Sequence, residues 1–212
     1  MTKILIADDH AIVREGLKRI LGSATDMAVT GEASSGQEVV DKVTRGDFDV
    51  LVLDISMPGR NGLDILRELK VMKPNLHVLM LSVFPEEQYA VRVIRAGASG
   101  YMTKDSAPDE LVTAIRRISQ GRKYVSPSLA ERLAIDLELG SDRDTPPHEL
   151  LSDREFRVMC MVAEGRTANE IAEELMLSPK TISTYRTRVL RKMQMKSSAE
   201  LTHYAIKHGL VD

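Results

Sequence analysis

The chain has a single cysteine, Cys160, among 212 residues, so no disulfide can close within it and a reducing compartment fits. A lone cysteine of this kind reads as a small buried hydrophobe. No apolar run approaches the roughly 20 residues that a membrane span takes. The opening stretch Met1-Thr2-Lys3-Ile4-Leu5-Ile6-Ala7 runs straight into two aspartates, which is not the pattern of a signal peptide. Together these absences predict a cytoplasmic protein. There is no internal repeat, no Gly-x-Gly-x-x-Gly and no P-loop. The histidines His10, His77, His148, His203 and His208 show no metal-ligand spacing.

What is present is an ordinary globular composition, 43% hydrophobic and 28% charged, in a chain long enough for two domains. The net charge of −2 conceals an asymmetry. Between Met176 and Lys196 stand six cations (Lys180, Arg186, Arg188, Arg191, Lys192 and Lys196) and no acid, which leaves −8 for the remainder. A local basic block in an acidic protein points to a polyanion-binding face, the alternative being a solvated helix face.

The first 120 residues alternate between two periods. Short apolar runs at Lys3–Ala7, Met27–Thr30, Val50–Leu53, Val78–Leu81 and Gly100–Met102 predict strands, and helical spacing predicts a helix after each. Several of these runs are apolar throughout, as in strands covered on both faces. A repeating βα unit implies a parallel, doubly wound sheet. Gly121 stops the last of these helices. A connector follows over 121–149, with a helix expected near Ser128–Leu139 and a polar, proline-bearing tail Gly140–Pro147. From Leu151 the pattern is only helical. Ser152 with Glu155, and Thr167 with Glu170, have capping-box spacing. Ser178-Pro179 opens a third helix, and Ser198–His208 a fourth before Gly209.

In open α/β sheets chemistry collects at the carboxyl ends of the strands. Asp8 and Asp9 end the first strand, Asp54 the third and Ser82 the fourth, and Lys104 follows the fifth. Three converging carboxylates repel one another unless a cation neutralises them, and Mg²⁺ suits such a site when a phosphoryl group also enters it. Asp54 is then the nucleophile, Asp8 and Asp9 hold the metal, Lys104 neutralises phosphoryl oxygens and Ser82 donates a hydrogen bond to one of them. Taken singly, each of these residues reads as a turn or surface residue. Taken together, at the ends of the right strands, they do not.

The segments Ile6-Ala7-Asp8-Asp9-His10, Val52-Leu53-Asp54-Ile55-Ser56-Met57-Pro58-Gly59 and Gly97-Ala98-Ser99-Gly100-Tyr101-Met102-Thr103-Lys104 resemble the receiver domains of two-component systems. The resemblance implies a flavodoxin-like five-stranded sheet of order 2-1-3-4-5 over residues 1–120. It further implies phosphorylation of Asp54 and Mg²⁺ held by Asp9, Asp54 and the Ser56 carbonyl. Ser82 and Tyr101 are implied as a switch pair, with Ser56 and Phe84 at positions that tune dephosphorylation.

On a wheel of about 100° per residue, Ile182, Val189, Met193 and, at its edge, Tyr185 form one apolar stripe of the helix after Pro179. Lys180, Ser183, Thr184, Thr187, Arg188 and Arg191 fall opposite it, with Thr181 beside Lys180. Cations and short hydroxyls on one helix face suit a DNA major groove. Leu151-Ser152-Asp153-Arg154-Glu155, Glu170-Ile171-Ala172 and Leu177-Ser178-Pro179-Lys180-Thr181-Ile182 resemble the four-helix, LuxR-type helix-turn-helix domain, here residues 150–212. With the receiver, this is similar to the NarL/FixJ subfamily of response regulators. The likeness implies duplex DNA, a sensor histidine kinase and RNA polymerase as partners, and a homodimer through the last helix, the receiver or both. An enzyme reading, a small phosphatase, would want a second acid near the nucleophile, but Ser56 stands two residues after Asp54. An RNA-binding reading would want stacking aromatics on the basic face, and there are none.

Overall fold

The computed structural model describes residues 1–57, 60–106, 108–138 and 146–211, and for residues 87, 88, 132 and 135–138 the backbone alone. Pro58 and Gly59 of the second motif, Leu139 and the connector tail up to residue 145 lie outside the described residues. The chain divides into two compact units, Met1–Glu131 and Arg132–Asp212.

In the first unit, strands β1 (Thr2–Ala7), β2 (Met27–Ala33), β3 (Val50–Asp54), β4 (His77–Ser82) and β5 (Gly100–Thr103) alternate with helices α1 (Ala11–Gly22), α2 (Gly36–Arg45), α3 (Gly62–Met72), α4 (Glu86–Arg95) and α5 (Pro108–Ser119). The strands form one parallel sheet in the order β2-β1-β3-β4-β5. Ile4, Ile6, Val50, Val52, Leu79 and Leu81 pack with Leu17 and Leu21 of α1 and Leu111, Ile115 and Ile118 of α5. The alternate residues Leu5, Leu51, Leu53 and Met80 are buried as well, so both faces are covered. β2 runs three residues beyond the expected Thr30, because Leu5, Ile6 and Ala7 pair with Gly31, Glu32 and Ala33 after a register shift at Ile4/Leu5. Backbone pairing carries a strand on where its composition reads as a turn.

After α5 the chain returns along the open side of β5. The Tyr124 N–H donates to Ser99 O at 2.9 Å, and Tyr124 bridges Gly100 in parallel. Helix α6 (Pro127–Glu138) then begins, one residue earlier than expected.

In the second unit a 3-10 turn (Pro147–Leu150) lies where the sequence reads as linker. It is held by His148, whose Nδ1 is 2.8 Å from the Tyr204 hydroxyl. Helices α7 (Asp153–Ala163), α8 (Ala168–Glu174), α9 (Pro179–Lys192) and α10 (Ser198–Lys207) follow. Both capping boxes form, Ser152 with Glu155 and Thr167 with Glu170. Val158, Met161, Ile171, Ala172 and Ile182 make the shared core. α8 ends two residues before the expected Met176. Met176 and Gln194 take φ of 51° and 57° just after α8 and α9, where the chain reverses out of each helix. No described helix is long and apolar enough to cross a membrane.

Candidate functional site

The sheet register sets the first site. Ala7 pairs with Leu53 and Asp54 with Leu81, and the Lys104 N–H donates to Ser82 O at 2.7 Å, so the carboxyl ends of four strands meet along one edge. Asp8 and Asp54 are each only 1% exposed. The Lys104 ammonium lies 2.6 Å from Asp8 Oδ2 and 3.2 Å from Asp54 Oδ1. Neither Asp54 oxygen takes part in a well-aligned hydrogen bond within the described residues. Burial pushes the Asp54 carboxyl above the usual carboxylate range, with Lys104 pulling against the shift and Asp8 adding to it. Burial alone would lower the Lys104 ammonium, but Asp54 and Asp8 outweigh it and hold it above the ordinary lysine value.

One ligand atom from each of Asp8, Asp9, His10 and Asp54 falls within a 4.8 Å cluster. Three carboxylates beside one ammonium leave excess negative charge, and the buried Asp54 oxygens retain open acceptor capacity. Such a donor set fits a hard cation with oxygen ligands.

Ser82 is buried at the end of β4, where its Oγ accepts the Phe84 N–H at 3.0 Å. Tyr101 is buried on β5 and donates its hydroxyl to Phe84 O at 2.7 Å. Ser56 follows β3, its hydroxyl buried and without a hydrogen-bond partner among the described residues.

Three contributors escape a reading by residue type. The His10 Nδ1 lies 3.2 Å from Asp8 Oδ1 and 3.0 Å from Asp9 Oδ1; its place after the acidic pair was the only signal. Arg14, in the first turn of α1, donates to Asp8 O at 2.8 Å and so fixes the turn that presents both aspartates. Gly62 donates its N–H to Ile55 O at 3.0 Å, and its Cα sits against the Asp54 carbonyl. Nothing in the sequence marks Arg14 or Gly62.

The second site is the outer face of α9. Ser178 caps the helix, Pro179 opens it, and Ile182, Val189 and Met193 bury one stripe. Lys180, Ser183, Thr184, Thr187, Arg188 and Arg191 are exposed and Thr181 is half-buried. No ion pair holds Lys180, Arg188 or Arg191 among the described residues. The hydroxyls are not idle: Ser183, Thr184 and Thr187 each donate to the carbonyl four residues back, at 3.0 Å. The Thr181 hydroxyl meets that of Ser178 at 2.8 Å. Lys192 leaves the basic block, because its ammonium is 2.6 Å from the buried Glu155 carboxylate.

Comparison with known proteins places both domains in known families. The response regulator receiver domain matches residues 4–116, and the luxR family of bacterial regulatory proteins matches residues 149–205. The chain is 39% identical over 210 residues to the response regulator UvrY of Escherichia coli K12, covering 99% of this chain and 96% of that one. It is 37% identical over 212 residues to the response regulator GacA of Pseudomonas aeruginosa, covering 100% and 99%. Among solved structures, RcsB from Salmonella enterica serovar Typhimurium bound to promoter P1flhDC is similar, with a TM-score of 0.59 and 28% identity over 96% of this chain and 97% of that one. The chain therefore belongs to the response regulators that join a receiver domain to a LuxR-family DNA-binding domain, a family of regulators rather than enzymes.

Proposed function

We propose that this response regulator takes a phosphoryl group onto Asp54 from a phosphohistidine of a sensor kinase and then binds operator DNA as a homodimer in the cytoplasm to control transcription. One observation carries the reading: a buried carboxylate with open acceptor capacity lies between a second buried carboxylate and a lysine ammonium. In the transfer, one Asp54 oxygen attacks phosphorus, the P–N bond to the imidazole breaks, the imidazole keeps that electron pair, and the carboxylate becomes a mixed anhydride. Asp8, Asp9, Asp54 and the Ser56 carbonyl would hold Mg²⁺, which when bound neutralises charge on the phosphoryl oxygens. Lys104, whose ammonium lies 3.2 Å from Asp54 Oδ1, would meet the same charge. Arg14 holds the Asp8–Asp9 turn in place, and Ser82 turns its hydroxyl to a phosphoryl oxygen once transfer is complete. Tyr101 follows as the second half of the switch.

In the output domain α9 enters the major groove, with Lys180, Arg188 and Arg191 meeting phosphates or guanine and Thr181, Ser183, Thr184 and Thr187 close to backbone or bases. The similar RcsB chain bound to a promoter supports this half of the reading. The homodimer forms through α10, the receiver or both, and RNA polymerase is the downstream partner.

Incubation with Mg²⁺ and a small acyl phosphate is expected to add one hydroxylamine-labile phosphoryl group. Asp54→Asn abolishes it, and Asp9→Ala slows it by weakening the metal site. Label recovered on serine or histidine overturns the assignment.

A further inference from the structure

Phe84 is gripped at both of its backbone polar groups by the pair named above as the switch. Its N–H donates to Ser82 Oγ at 3.0 Å, and its carbonyl accepts from the Tyr101 hydroxyl at 2.7 Å. Its ring stacks on Tyr89 with centroids 4.8 Å apart. Pro85 follows, with φ near −56° and no N–H of its own, and Glu86 opens α4. The step from Phe84 to Glu86 is therefore short and stiff.

Glu86 reaches away from the phosphorylation chemistry. Its Oε1 accepts from the Ser126 hydroxyl and, at 3.3 Å, from the Ser128 hydroxyl, and the two serine hydroxyls are 2.8 Å apart. Ser126 is also the cap of α6: its Oγ accepts the Leu129 N–H at 3.0 Å, and its carbonyl accepts the Ala130 N–H at 3.0 Å. α6 starts in the first unit and its residues continue past the division at Glu131 into the second. A carboxylate that accepts two hydroxyls forms charge-assisted bonds, yet partial exposure keeps them weak enough to break.

We propose that Glu86 is the latch through which the state of Asp54 reaches the connector: in the unphosphorylated protein it fastens the first turn of α6 to the switch loop, and phosphorylation releases it. The inference rests on the reading that Asp54 is phosphorylated. Drawing the Ser82 hydroxyl to a phosphoryl oxygen takes it off the Phe84 N–H. The loop Phe84-Pro85-Glu86 then loses that backbone tie, and Glu86 withdraws from Ser126 and Ser128. The start of α6 keeps its internal cap and the buried Leu129 side chain but loses its tie to the switch loop. The signal leaves the receiver as a loosened helix start on the chain that leads to the output domain.

The test is amide hydrogen exchange at Leu129–Glu131 in the full chain with Mg²⁺, with and without acetyl phosphate, phosphoryl occupancy being read by intact mass. In the wild type, exchange at these amides should rise roughly 3- to 10-fold on phosphorylation, the size expected for losing one or two exposed charge-assisted bonds. Glu86→Ala should exchange at the raised rate without donor and change less than about 2-fold with it. Glu86→Gln, which keeps an acceptor oxygen, should follow the wild type, and all three proteins should gain the phosphoryl group equally. Wild-type behaviour of Glu86→Ala overturns the latch, as does full occupancy without faster exchange at α6 in the wild type. Absence of any mass gain in the wild type overturns the phosphoacceptor reading, while the donor-free comparison of Glu86→Ala with wild type still decides whether Glu86 fastens α6.

Discussion

A side chain at position 62 would have nowhere to go. A Cβ there would stand 2.4 Å from Asp54 O and 2.8 Å from Ile55 Cα, both backbone atoms that cannot swing aside. Gly62→Ala must push the end of β3, and Asp54 moves with it. The expected outcome is a loss of about 1–3 kcal/mol in the stability of the first unit by denaturant titration. Phosphorylation by acyl phosphate should also slow at least roughly 10-fold, because a small misplacement of a reacting group is costly. An alanine variant with wild-type stability and labelling would show that α3 yields instead. The contrast with Asp8, Asp9, Asp54, Ser82 and Lys104 shows what is legible at this scale. Those residues declare their chemistry by type and by their place at strand ends. Gly62 acts by having no side chain, and Arg14 acts on a carbonyl, so neither leaves a mark that a sequence pattern carries.

The helices of the second unit were readable where they depend on side chains and unreadable where they depend on backbone. Ser152, Thr167 and Ser178 announce their caps, and the apolar stripe of α9 announces its buried face. The ends of α8 and α9 do not announce themselves. The Leu177 N–H returns to Ala172 O and the Met176 N–H to Glu173 O, which is the Schellman pattern with methionine in the left-handed position that glycine usually takes. α9 also carries a division of labour. Lys180 stands in its first turn, where free N–H groups already favour phosphate. Lys180→Ala should weaken binding to every duplex and make the salt dependence shallower by about one charge. The Thr184 hydroxyl already donates to Lys180 O, which leaves it an acceptor for a base amino group. Thr184→Ala should cost about 1–3 kcal/mol on operator DNA and little on random sequence in equilibrium titrations. Equal losses on the two would place Thr184 on the phosphate backbone.

Across the whole molecule charge is used openly on the outer face of α9 and internally both around Lys104 and between α7 and α9. Burial alone would raise the Glu155 carboxyl, but Lys192, together with Ser152, outweighs it and holds it below the usual carboxylate range. A depressed native pKa means stability that is present above the unfolded value near 4.5 and is lost as pH falls through the native one. The second unit should therefore melt progressively earlier below about pH 5. Glu155→Gln should flatten that acid limb in thermal melts followed by circular dichroism, and an unchanged slope would show that other carboxylates govern it.

The strand of chain that pairs Tyr124 with Gly100 has a consequence of another kind. A parallel sheet ends in a row of unsatisfied donors and acceptors, and such a row is a template for any other extended chain in solution. Here the protein lays its own connector over part of that row at β5 before turning away into α6. The same few residues that lead out of the receiver also cap part of its β5 edge. A chain cut at residue 120 would bare the template, whereas one cut after α6 would keep it covered.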